Sequence, residues 1–109
     1  MSRQQGSFDL KNLSDRVAVV TGAGNNGIGW GICRHAISEL GMRVAVLDLH
    51  ERLVSDAAAR LNDEFGNGCA IGVICDVTRP ESLAAALDRI ALDFPESSIG
   101  AVFANAGVI

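Results

Sequence analysis

VAVVTGAGNNGIGWGICRHAISELG, Val17 to Gly41, is the stretch that decides the fold. It opens on Val17 to Val20, a continuous apolar run of the kind found in strands buried on both faces. From about Ile28 to Leu40 the pattern changes. Ile28, Ile32, Ala36 and Leu40 recur every four residues, and Gly41 stands where a helix C-terminal glycine belongs. Between strand and helix lies TGAGNNGIG, Thr21 to Gly29. Glycines there can take φ > 0 and let backbone approach a ligand with no Cβ in the way. The free N–H groups of the helix start face that ligand, and the helix dipole favours negative charge. A pyrophosphate meets those demands. A Walker-type phosphate loop does not fit, because no Lys-Ser or Lys-Thr follows the glycines.

Working outward, the alternation repeats. Val44 to Leu49 (VAVLDL) is a second apolar strand. A helix is predicted from about Glu51 to Phe65, with Leu53, Ala57, Leu61 and Phe65 on one stripe and Gly66 after it. Ala70 to Val77 (AIGVICDV) is a third strand. Thr78 and Glu81 have capping-box spacing, with Pro80 tolerated in the first turn. Leu83, Leu87, Ile90 and Phe94 line the third helix, Pro95 follows it, and Ile99 to Gly107 reads as a fourth strand running into a loop. Such alternation predicts an α/β fold, a parallel sheet with helices on both faces and right-handed crossovers. One domain is expected over the 109 residues, behind a polar lead of about seven (1–7) that is read as flexible.

Composition narrows the chemistry. Nine basic residues are scattered among thirteen acidic ones, for a net charge of −4, so no nucleic-acid footprint is present. No apolar run approaches the ~20 residues of a membrane span, and the N-terminal stretch lacks the apolar core of a secretory signal. Cys33, Cys69 and Cys75 lack the spacing of a metal or redox motif, which with the missing signal favours a reducing, cytoplasmic setting. His35 and His50 have no cysteine or acid at ligand spacing, so no metal site is expected.

Two acids follow the glycine loop at informative places. Asp48 ends the second strand nineteen residues after Gly29, where a dinucleotide site puts a carboxylate against the adenosine ribose hydroxyls. The competing role is a solvated acid capping the next helix. Asp76 ends the third strand, where a carboxylate could reach the adenine amino group or cap a helix.

These segments resemble the short-chain dehydrogenase/reductases. Phe8 to Gly22 is similar to the family's entry to its first strand, and Thr21, Gly22, Gly27, Ile28 and Gly29 to its cofactor loop. Asp48 matches the acid after its second strand, Asp76-Val77 its adenine-contacting pair, and Ala104 to Gly107 (ANAG) its NNAG element. The resemblance implies a Rossmann-like sheet of about four strands in order 3-2-1-4. It also implies bound NAD, with NADP disfavoured by Asp48, and a cofactor set of Gly22, Gly24, Asn25, Gly27, Ile28, Gly29, Asp48, Leu49, Asp76, Val77, Asn105, Ala106 and Gly107. Two departures stand out. Four residues, Ala23 to Asn26, separate the loop glycines where the family usually has three, and Ala104 replaces the first Asn of NNAG. With Trp30 to Ile32, the longer loop resembles the enoyl-reductase branch, whereas Gly27 and Gly29 fit the main branch.

The family's catalytic serine, tyrosine and lysine lie beyond its fourth strand, and this chain has no tyrosine and stops at Ile109. The expectation is therefore the NAD(H)-binding portion of an oxidoreductase that moves hydride between nicotinamide and a carbonyl or alcohol, truncated before the catalytic half and inactive alone. Its substrate is a small molecule that these residues do not specify. The alternatives are a non-catalytic dinucleotide-binding or regulatory module and an S-adenosylmethionine-dependent methyltransferase-like domain. Ala101 to Ile109 carries neither charge nor proline, so self-association through an exposed sheet edge is expected. Gly27→Val is expected to abolish NAD binding in a titration while leaving the circular-dichroism helix signal largely unchanged, because the branched Cβ would fill pyrophosphate space.

Overall fold

The computed structural model describes residues 13–23 and 27–104. In chain order the elements are β1 (Val17–Thr21), α1 (Ile28–Ser38), β2 (Arg43–Asp48), α2 (Glu51–Phe65), β3 (Ala70–Ile74), α3 (Pro80–Asp93) and β4 (Ile99–Ala104). Every strand pair is parallel and the sheet runs β3-β2-β1-β4, the expected 3-2-1-4 order.

The continuous apolar strands follow from burial on both faces. Ala18, Val20, Val44, Val46 and Ala70 point to the side of α1 and α2, where they meet Cys33, Ala36, Val54, Ala57 and Leu61. Their neighbours Val17, Val19, Ala45, Leu47 and Val73 point the other way, onto Ala86 and Ile90 of α3 and its C-cap Phe94. At β4 this second face is open, and Val102 is 63% exposed. No helix among the described residues is long and apolar enough to cross a membrane.

Helix α2 buries Ala57 and Leu61 of its predicted stripe, whereas α1 and α3 keep Ala36, Ile90 and Phe94 but dock on faces rotated from the rest. Helix α1 buries Gly29, Cys33 and Ala36 while Ile28 is 77% exposed, and α3 buries Ala86 and Ile90 while Leu83 and Leu87 face solvent. Small residues let a helix axis come close to a sheet already filled with valines, so the larger side chains move to the flanks. Strand β3 ends at Ile74, three residues before the predicted Val77, because Asp76 closes a turn onto Thr78. The Thr78–Glu81 capping box does not form. Arg79 is the N-cap, held extended (φ −117°, ψ 116°) as a residue before proline must be, and Glu81 bonds Arg79 instead.

Asn62 treats the outer edge of β3 as a strand partner would. Its Nδ2 donates to the Ala70 carbonyl (2.9 Å) and its Oδ1 accepts from the Ala70 amide (3.0 Å) and the Cys69 amide (3.0 Å). Further along the same strand, Gly72 lies against α2. A Cβ there would overlap the Val54 carbonyl, which is backbone and cannot swing aside. Gly72→Ala is therefore expected to lower stability by ~1–3 kcal/mol. Gly31→Ala, exposed in α1 with nothing within 4 Å of the new Cβ, should instead raise it by up to ~1 kcal/mol. Thermal unfolding of the two variants beside the parent checks both signs.

Candidate functional site

Parallel pairing brings the carboxyl ends of all four strands to one edge. Thr21 stands opposite both Leu47 and Ala104, and Asp48 opposite Ile74. With strands ~4.8 Å apart, the end of β2 is one spacing from β1 and the end of β3 about 10 Å from it. Thr21 is buried, and its Oγ1 donates to the Phe103 carbonyl at 3.4 Å, tying β1 to β4 at this edge.

The glycine loop leaves β1 through Gly22, whose φ of 71° turns the chain while its amide donates to the Leu47 carbonyl (2.9 Å). It re-enters regular structure at Gly27, the N-cap of α1, with φ 152° and no side-chain cap. No acidic residue occupies the first turn. A Cβ on Gly27 would meet nothing within 4 Å, so open space lies beside the helix start. An uncapped first turn free of acids, next to a glycine with space on its open side, fits a pyrophosphate group. Gly29 is buried in the first turn of α1, and Ile28 faces solvent. Gly24 and Asn25 lie outside the described residues, as do Asn105, Ala106 and Gly107.

Asp48 is half-buried at the end of β2. Its Oδ1 accepts only a long bond, 3.4 Å, from the His50 amide, and α2 takes His50 as N-cap with no side-chain cap bond. The helix-capping alternative for Asp48 is thus not realised. Asp76 is more engaged: its Oδ1 accepts from the Thr78 hydroxyl (2.6 Å) and the Thr78 amide (3.0 Å), and its own amide donates to Ser82 Oγ (2.9 Å). The Thr78 hydroxyl, then the Thr78 amide, holds its carboxyl below the usual aspartate range. Leu49 and Val77 are exposed apolar side chains beside these two acids, 59% and 37% accessible.

One contact of this region has no local signal in the sequence. The Arg60 guanidinium of α2 lies over the Trp30 ring, 4.3 Å from its centroid, although the partners stand thirty residues apart. Elsewhere, no group of three or more His, Cys, Asp or Glu is arranged to hold a metal among the described residues. Burial pushes the Cys33 thiol up to about 12 and moves Cys69 the same way.

Known proteins share this arrangement. A family profile described as "Enoyl-(Acyl carrier protein) reductase" matches residues 22–109. The uncharacterized oxidoreductase YuxG of Bacillus subtilis (strain 168) is 39% identical over 96 residues, 88% of this chain and 13% of that protein. A short chain dehydrogenase from Mycobacterium smegmatis superposes with a TM-score of 0.78 at 32% identity, over 90% of this chain and 39% of its own. L-sorbose reductase from Gluconobacter frateurii, solved with NADPH and L-sorbose, gives a TM-score of 0.73 at 28% identity, over 93% of this chain and 36% of its own. The chain spans between 13% and 36% of the length of the curated relatives it matches. The methyltransferase alternative falls away against these matches. Profile, relatives and superposed sheet agree: the chain belongs to the short-chain dehydrogenase/reductase family of oxidoreductases, which bind a nicotinamide cofactor.

Proposed function

We propose that the chain binds NAD(H) across the carboxyl edge of its sheet, as the cofactor-binding part of an oxidoreductase acting on a carbonyl or alcohol. The observation that carries this reading is the uncapped, acid-free start of α1 beside the open side of Gly27, one strand away from Asp48. In this reading the N–H groups at Ile28 and Gly29 take the pyrophosphate, Gly22 and Gly27 present no side chain to it, and Gly24 and Asn25 belong to the same loop. Asp48 accepts the ribose hydroxyls, Asp76 the adenine amino group, and Leu49 and Val77 offer apolar surface to the adenine ring. Asn105, Ala106 and Gly107 complete the cofactor set at the end of β4. The bound nicotinamide supplies or accepts the hydride.

Turnover needs a proton donor near the substrate oxygen, and the chain contains no tyrosine. Its only lysine, Lys11, precedes β1. We therefore assign these 109 residues binding without turnover. A nicotinamide absorbance assay on the purified chain checks this, and measurable turnover overturns it. Because β4 is an edge strand with Val102 exposed, the same preparation is expected to self-associate through that edge. Light scattering showing a stable monomer at high concentration would contradict that expectation.

NAD is the cofactor this reading selects, although the family includes a member solved with NADPH. A 2′-phosphate would face Asp48, and two like charges ~4 Å apart cost up to ~4 kcal/mol at an effective dielectric near 20. Partial exposure reduces this to ~1–3 kcal/mol, or roughly five- to 150-fold in affinity. No Lys or Arg directly follows Asp48 to offset it, the nearest being Arg52 four residues on. Isothermal titration is expected to show NAD binding tighter than NADP by that margin, with Asp48→Asn narrowing the gap. Equal or tighter NADP binding by the parent sinks the assignment.

A further inference from the structure

The first turn of α1 is poorly held by its own sequence. Gly27 caps it without a side-chain bond, Gly29 and Gly31 sit within it, and its sheet-facing residues Gly29, Cys33 and Ala36 are all small. Glycine gives up more backbone freedom on ordering than any other residue, so such a turn has to be held from outside. On one flank α1 is open: Ile28, Ile32, His35 and Leu40 line a groove with Phe103.

On the other flank lies α2. Trp30 packs half-buried against the core shared by α1 and α2, and Arg60 covers its ring at 4.3 Å. One turn further on, Arg34 pairs with Glu64 and lies 5.4 Å from the Phe65 centroid. Both rungs join residues thirty apart, Trp30 with Arg60 and Arg34 with Glu64, so the two helices run side by side in one register. The upper rung sits within the turn whose amides face the glycine loop.

We propose that Arg60 is a positioning residue for the anion site, stacking on Trp30 to fix the first turn of α1 and thereby the N–H groups that receive pyrophosphate. This rests on the dinucleotide reading given above. Arg60 acts through Trp30, whose ring it covers at 4.3 Å.

The test is Arg60→Gln in the full chain, an exposed position where the fold should survive, with circular dichroism as the check. Amide hydrogen exchange is followed at Ile28–Gly31, and affinities are measured for ADP, which carries a pyrophosphate, and adenosine, which carries none. Exchange at Ile28–Gly31 should quicken while α2 is unaffected, ADP should bind roughly fivefold more weakly, and adenosine as before. Trp30→Phe, which keeps a ring face for Arg60, should hold ADP affinity within about twofold of the parent. Unchanged exchange and ADP affinity in Arg60→Gln overturn the proposal, as does equal weakening of ADP and adenosine, the mark of a merely structural role. Should the parent bind neither nucleotide, the dinucleotide reading fails. The exchange measurement needs no ligand and still decides whether Arg60 holds the turn.

Discussion

Burial of β1 on both faces is the constraint from which the rest of the structure follows. Val17, Val19 and Val20 are at most 2% exposed, with strands on either side and helices above and below. A strand so placed cannot leave by a hairpin, because its neighbours are parallel and each return needs a crossover. The crossovers are α1, α2 and α3, and they supply the two covering layers that the valines demand. The same geometry sends every strand out of the sheet at one edge, so the loops that carry polar groups collect there.

The electrostatics of that edge are local. A net charge of −4 does nothing to draw an anionic nucleotide from a distance. In the proposed reading, attraction comes from the backbone amides at the start of α1, which act over a single turn and need close approach. In that reading the glycines matter more than any side chain, and the acids stand one and two strands away. Asp76 shows the division of labour within the edge. Its Thr78 bonds favour its ionised form and at the same time shape the turn into α3.

Much of this was legible in the residues themselves. The strands announce themselves as short apolar runs, α2 occupies Glu51–Phe65 as its spacing predicts, and Gly22, Gly27 and Asp48 stand where the loop and strand end require. The helix faces were legible in α2 and only in part in α1 and α3. Periodicity finds an apolar stripe but cannot tell that Gly29, Cys33 and Ala86 will dock while Ile28, Leu83 and Leu87 stay outside. That choice depends on how near each axis comes to the sheet, a tertiary quantity. The capping box failed for a local reason, because Pro80 holds Arg79 extended and moves the helix start one residue on. The stacking of Arg60 on Trp30 joins two helices through the fold, and no spacing rule reaches it.

The amide of Asn62 has a consequence for the architecture at large. By occupying both the donor and the acceptor that Ala70 turns outward, it blocks the start of the β3 edge, where another strand would otherwise pair. The opposite flank, at β4, has no such plug among the described residues. The sheet is thus more open to growth beyond β4 than beyond β3. Each addition there moves β1, and the glycine loop with it, away from the margin and towards the middle of a wider sheet.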